Sequence, residues 1–184
     1  MRITGGQARG RLIAGPIGLE VRPTASKIRQ AFFNILANKV PGCRFLDVCA
    51  GSGLIGAEAI SRGAASLIAV EENKKFAQAI EGNLRRLGFE GEVVCGDLRR
   101  VLPILGSKSA DIIFADPPYK SELPSEIIEL VAKHDLLNDG GILIVEHAVS
   151  TTVPQRWNTL VRYDSRKYGQ TMISFYHCQP VDIT

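Results

Sequence analysis

Apolar residues recur along this chain with two periods. Ile28, Ala31, Phe32, Ile35 and Leu36 fall at the i, i+3, i+4, i+7 and i+8 positions of one helix face. Thr24 or Ser26 stands where that helix needs an N-cap, and Pro41-Gly42 ends the segment. Further along, short continuous apolar runs alternate with helical segments. Strands are predicted at about 44–48, 67–70, 93–95, 110–115 and 142–146, and helices at about 54–61, 74–87, 98–105 and 126–134, the last capped by Ser125. Asn138-Asp139-Gly140-Gly141 reads as the turn into 142–146. The tail predicts two more strands, 158–163 and 171–177, antiparallel because a short turn near Tyr168-Gly169 joins them. Strand and helix alternating through the middle predict an α/β fold, a parallel sheet covered on both faces.

Acidic residues mark the ends of the first four predicted strands. Asp47, Glu71, Asp97 and Asp116 therefore form one rim, because ligands of an open parallel sheet lie outside the carboxyl ends of its strands. The segment Asp47-Val48-Cys49-Ala50-Gly51-Ser52-Gly53 is a glycine loop leading into a helix, whose N-terminal N–H groups face a bound ligand. Gly51, Gly53 and Gly56 nearly fit the dinucleotide fingerprint. Asp47 shifts the reading: its charge would crowd a pyrophosphate, whereas the ammonium of S-adenosylmethionine would favour it, directly or through a water. Glu71 lies where a carboxylate accepts both ribose hydroxyls. Glu72 competes for that role, but Glu71 directly ends the apolar run. Asp97, followed by Leu98, is placed to accept from an adenine amino group. The candidate donor contacts are thus Asp47, Ala50, Gly51, Ser52, Gly53, Glu71, Asp97 and Leu98.

Asp116-Pro117-Pro118-Tyr119 follows the apolar run 110–115 and points to methyl transfer onto a planar amine. The lone pair of such an amine is delocalised into its ring. Holding both N–H bonds, one by a carboxylate and one by a backbone carbonyl, turns that lone pair out of the plane. Asp116 supplies the carboxylate, the proline pair fixes the backbone, and Tyr119 offers a flat face for stacking a base.

With 184 residues, 45% of them hydrophobic, one domain with a full core is expected, with a basic arm at 1–22 and the body at 23–184. Apolar runs fall short of the roughly 20 residues of a membrane helix, and the opening lacks the apolar core of a signal peptide, so a cytosolic protein without a membrane partner is expected. Cys43, Cys49, Cys95 and Cys178 show no paired spacing, which predicts neither a metal site nor a disulfide framework. Charge is uneven: residues 1–30 carry six Arg or Lys against Glu20 alone, while residues 31–150 carry 12 basic and 16 acidic side chains. A basic arm suits a polyanion, since its contacts to phosphates release counterions. Arg2, Arg9 and Arg11, punctuated by Gly5, Gly6 and Gly10, are the candidate RNA contacts in a hairpin or loop. Tyr168 is expected on the other side of the target base.

The order Phe45-Leu46-Asp47 through Gly53, then Glu71, Asp97 and Asp116-Pro117-Pro118-Tyr119, resembles the class I S-adenosylmethionine-dependent methyltransferases that modify exocyclic amines. More narrowly, Arg2-Ile3-Thr4-Gly5-Gly6, Gly10-Arg11, Arg22-Pro23-Thr24 and the segment from Arg29 to Asn34 resemble the bacterial 16S ribosomal RNA guanine-N2 methyltransferases, over nearly the whole chain. The resemblance implies a Rossmann-like sheet of seven strands, the last antiparallel. It also implies S-adenosylmethionine as cofactor, and Arg22 and Thr24 near the methionine moiety or the target. The implied substrate is one guanine of ribosomal RNA in the small subunit or its assembly intermediate, acted on by a monomer. Cys49 departs from the aromatic residue many relatives carry, which loosens the loop's packing. A chain this short is expected to lack a separate base-recognition domain, to read surface shape and phosphates, and to unstack its target. Rival readings are a DNA adenine-N6 methyltransferase, which normally needs a recognition domain, a non-catalytic RNA-binding factor, for which the intact motifs are superfluous, and an NAD-linked oxidoreductase, which leaves Asp116–Tyr119 unexplained.

Overall fold

The computed structural model describes residues 1–15, 26–118 and 122–179. Two compact units divide the chain, Met1–Leu98 and Arg99–Thr184. The expected boundary after residue 22 lies outside the described residues.

In the first unit, helix α1 (Ser26–Ile35) precedes strand β1 (Arg44–Val48), helix α2 (Leu54–Ser61), strand β2 (Ser66–Glu71), helix α3 (Lys74–Leu87) and strand β3 (Glu92–Cys95). The strands lie in the order β3-β2-β1 and run parallel, Leu46 opposite Ile68 and Val70 opposite Val94. After its first residue β1 is buried throughout, as expected of a parallel strand covered on both faces. Helix α3 has the clearest boundaries: the Asn73 side chain accepts from the Lys75 and Phe76 amides, and Gly88 ends the helix at φ 72°.

The N-terminal arm is part of this unit. Arg2 and Leu12 form an antiparallel bridge, and Ile3, Ala8 and Ile13 are buried. One carboxylate anchors it. Glu58 of α2, fully buried, accepts from Arg29 Nε of α1 at 2.7 Å, from Arg62 Nη2 at 2.8 Å, and from the amide and hydroxyl of Thr4 in the arm. Arg29 also donates to the Arg2 carbonyl at 2.8 Å. Ser61 adds a second anchor, accepting from the Ala8 amide and donating to the Gly5 carbonyl.

The second unit begins with helix α4 (Leu98–Val101, its first residue closing the unit before), a 3-10 turn at Leu102–Ile104, strand β4 (Ala110–Ala115), helix α5 (Leu123–Lys133) and strand β5 (Leu137–Ala148). Strands β6 (Arg156–Trp157), β7 (Leu160–Tyr168) and β8 (Thr171–Cys178) complete it, in the order β4-β5-β8-β7-β6. β4 and β5 are parallel, whereas β8 is antiparallel to both β5 and β7. Tyr176, wholly buried on β8, donates to the Pro154 carbonyl at 2.7 Å, and burial pushes its hydroxyl up to about 12.

Several boundaries differ from those expected. α5 starts three residues earlier than predicted, because Pro124 is preset for a first helical turn; Ser125 lies inside the helix and donates to the Thr152 carbonyl instead of capping. Asn138 through Gly141 belong to β5, where an irregular register opposite Ala110 and Ile112 and a bond from Asn138 to Asp111 absorb them. β7 runs five residues past Tyr163, its charged stretch continuing the pairing with β8. β6 is an eighth strand where seven were expected, formed by a tight turn with Asn158 at φ 51°. No described helix is long and apolar enough to cross a membrane.

Removing one partner of a buried ion pair strands the other's charge. Glu58→Ala, which strands Arg29, is expected to lower unfolding free energy by about 3–5 kcal/mol. Urea denaturation measures it, and a loss under about 1 kcal/mol, the ceiling for exposed pairs, would show that the cluster does not anchor the arm.

Candidate functional site

The loop that follows β1 has an improbable backbone. Cys49, Gly51 and Gly53 have φ of 60°, 54° and 72°, the left-handed region that disfavours side chains. At Gly53 two constraints coincide, since a Cβ there would also stand 2.8 Å from Cγ1 of Ile80. Cys49 bears that conformation with a side chain, a cost of order 1–3 kcal/mol that the surroundings must offset. Its effect is thus local backbone strain, more specific than the loosened packing expected from the sequence.

Two carboxylates hold the loop. Asp47, 1% exposed, accepts the amide of Gly56 at 2.9 Å in the first turn of α2, so it caps a helix end where negative charge is favoured. Gly56 permits this approach: a Cβ there would lie 2.8 Å from Cδ1 of Leu67 and 3.2 Å from Oδ2 of Asp47. Glu71, at the end of β2, accepts the Gly51 amide with Oε2 at 2.7 Å and the Asn73 amide with Oε1 at 2.8 Å. Each oxygen keeps a further lone pair, so the carboxylate is oriented by backbone and still able to accept from a ligand. Glu72 is exposed beside it and holds no loop amide among the bonds observed. Gly96 donates to the Glu71 carbonyl at 3.0 Å, bringing the half-buried Asp97 and the buried Leu98 to the end of the same strand layer. Ala50 and Ser52 are buried within the loop. A Cβ at Gly51 would meet nothing nearer than the Cys49 carbonyl at 4.0 Å, so the loop leaves open space beside its backbone.

The other expected site residues fall elsewhere. Asp116 is half-buried directly after β4, with Pro117 buried and Pro118 exposed, all in the second unit; Tyr119, Arg22 and Thr24 lie outside the described residues. Arg2, Arg9 and Arg11 are exposed on the arm, Arg2 donating to the Gly10 carbonyl and Arg11 to the Arg86 carbonyl. Tyr168 is half-buried at the tip of the β7–β8 hairpin. Sequence reasoning missed Asn83, which is 4% exposed and bonds both the loop and the arm. Its signal was present: with Phe76, Ala77, Ile80 and Leu84 it occupies the apolar stripe of α3.

A glycine loop between a parallel strand and a helix, flanked by a strand-end carboxylate, is Rossmann-like, and the likeness to solved methyltransferase structures makes the fold that of the class I methyltransferases. The chain belongs to the family described as Conserved hypothetical protein 95, whose model matches residues 1–177. "Ribosomal RNA small subunit methyltransferase D" of Escherichia coli (strain K12) is 35% identical over 162 residues, spanning 86% of this chain and 81% of that protein. Its namesake in Buchnera aphidicola subsp. Acyrthosiphon pisum is 31% identical over 179 residues, 96% of this chain and 92% of that one. Among solved structures, yhhF from Escherichia coli matches with a TM-score of 0.85 at 33% identity, covering 97% of this chain and 99% of that one.

Glu71→Ala removes the acceptor and leaves the Gly51 amide to water. Calorimetric titration with S-adenosylhomocysteine should show a loss of about 1–3 kcal/mol, the range for unmet polar partners. Unchanged affinity would remove Glu71 from the site.

Proposed function

We propose that this protein methylates the exocyclic N2 amine of a guanine in small-subunit ribosomal RNA, using S-adenosylmethionine. The observation that carries the donor half is Glu71, a carboxylate oriented by two backbone amides beside an open glycine loop, with acceptor capacity left for the ribose hydroxyls of a nucleoside. Relatives named as ribosomal RNA methyltransferases support the acceptor half.

Bound S-adenosylmethionine supplies a methyl group on a positive sulfur that leaves as a neutral thioether. Asp47 keeps negative charge behind the loop and fixes the start of α2, so the loop needs little reorganisation when a cationic donor arrives. Gly51, Gly53 and the backbone of Ala50 and Ser52 line the donor, Glu71 takes the ribose, and Asp97 with Leu98 takes the adenine. Asp116 and a neighbouring backbone carbonyl accept the two N–H bonds of the guanine amine. Held so, the nitrogen would direct its lone pair at the methyl group that bound S-adenosylmethionine would supply, the sulfur keeping the electrons of the broken bond. A proton leaves that nitrogen only afterwards, when it has become acidic, and Asp116 is the acceptor beside it. Pro117 and Pro118 hold the backbone in place, and Tyr119 stacks on the base. Arg22 and Thr24 border the donor's methionine end. Arg2, Arg9 and Arg11 meet RNA phosphates beside the target, with Tyr168 on its other side, and the protein acts as a monomer on an assembled particle.

Because Asp116 acts mainly as the bond forms, Asp116→Ala should lower turnover by about 10²-fold or more while donor affinity barely changes. Single-turnover kinetics with small-subunit particles tests this; near wild-type turnover would void the role.

Neutralising Arg2, Arg9 and Arg11 together should make the fall in particle affinity with salt shallower, by up to about 0.7–0.9 log units per lost phosphate contact. A slope equal to wild type, measured across a salt titration, would take the arm off the RNA.

A further inference from the structure

The Asn83 side chain bonds both the N-terminal arm and the glycine loop. Its Oδ1 accepts the Ala14 amide at 3.1 Å and Nη2 of Arg86 at 2.9 Å. Its Nδ2 donates to the Ala14 carbonyl at 2.8 Å and to the Ser52 carbonyl at 3.4 Å. Two accepted and two donated bonds exhaust what a carboxamide offers. The partners also dictate which end of the amide is which, since an amide and a guanidinium only donate and two carbonyls only accept.

Burial makes the arrangement consequential. Asn83 is 4% exposed, so if Ala14 or Ser52 moves away the carboxamide of Asn83 itself is left with an unmet polar group shielded from water. Nearby bonds reinforce the tie: Arg86 donates to the Leu12 carbonyl, and the Ser52 hydroxyl sits 3.7 Å from the Met1 sulfur. One turn earlier on the same helix, Ile80 presses against Gly53 from below. Helix α3 thus supports the loop with an apolar contact at Ile80 and a polar one at Asn83.

We infer that Asn83 is a positioning residue for the donor site, locking the Ser52 carbonyl of the glycine loop to the end of the N-terminal arm so that the arm is a working part of the donor pocket. The inference rests on the reading that this loop holds the donor, and it goes further in assigning the loop's geometry to a residue that need not touch the ligand. Arm and loop then move as one, so disturbing the arm near Ala14 alters donor binding, whereas disturbing it at its far anchor does not.

Three variants separate the possibilities. Asn83→Leu removes all four bonds at similar volume, Asn83→Asp keeps the accepted pair but turns a carboxylate toward the two carbonyls, and Ser61→Ala cuts the arm's bonds at Gly5 and Ala8 only. Two readouts are used: hydrogen–deuterium exchange of the ligand-free protein over residues 49–53, and calorimetric affinity for S-adenosylhomocysteine. Both Asn83 variants should lose loop protection and bind about tenfold more weakly, as expected when buried bonds are left unmet. Ser61→Ala should keep both properties at wild-type level even if its melting temperature falls. Kinetically, the Asn83 variants should raise the donor KM with kcat at saturation retained. Wild-type exchange and affinity in Asn83→Asp would overturn the inference, as would equal losses in Ser61→Ala, which would make arm packing in general responsible. Should the wild type fail to bind S-adenosylhomocysteine, the donor reading falls, and the exchange data still judge the link between Asn83 and the loop.

Discussion

Everything proposed for the donor half of this protein depends on a short stretch of backbone holding a left-handed conformation that is strained at Cys49 and open to its two glycines. Cys49, Gly51 and Gly53 all lie in the left-handed region, which strains Cys49 and is only one of several regions open to the glycines, so an unsupported chain would leave it. Charged hydrogen bonds prevent this: Asp47 takes the Gly56 amide below the loop, and Glu71 takes the Gly51 amide at its edge. Bonds to charged acceptors contribute about 1.5–3 kcal/mol each, comparable with the strain they oppose. The same carboxylates set the local charge, so support of the loop and suitability for a cationic nucleoside donor come from the same atoms.

That support extends outward through buried polar groups. Asn83 carries it from the loop to Ala14, and Glu58 carries it from α2 to Thr4 and, through Arg29, to Arg2. A basic arm read from composition alone is thereby a packed hairpin with an apolar side, Ile3, Ala8 and Ile13, and its exposed arginines project from a fixed base. For the RNA role proposed for these arginines, a pre-ordered base lowers the entropy cost of binding relative to a disordered tail.

Much of this was legible in the sequence. The bounds of β1, α2, α3 and β4 agree with the expected ones because each apolar run is closed by a glycine, an asparagine cap or an acid. Glu71 was distinguished from Glu72 by its position at the end of an apolar strand, and in the structure it is Glu71 that accepts the Gly51 amide of the loop. Legibility failed where tertiary context overrode local signals. Asn138 through Gly141 look like a turn, yet Leu137 pairs with Ala110 and draws them into β5. The strand expected to stop at Tyr163 continues through Asp164 to Lys167, because these charged residues pair with β8. Asn83 and Glu58 were passed over because a polar residue in an apolar stripe reads as a blemish until its partners, distant in sequence, are known.

The central claim is methyl transfer to a guanine amine of small-subunit ribosomal RNA, and the most direct measurement is mass spectrometry of nucleosides after reaction with methyl-labelled donor. Assembled small-subunit particles, ribosomal RNA alone and duplex DNA are incubated with the protein, digested and compared. The account predicts labelled N2-methylguanosine from the particles, absent when Asp116→Ala replaces the wild type. Label in adenine, label on DNA in preference to the particles, or no labelled nucleoside with active donor-bound protein would contradict it.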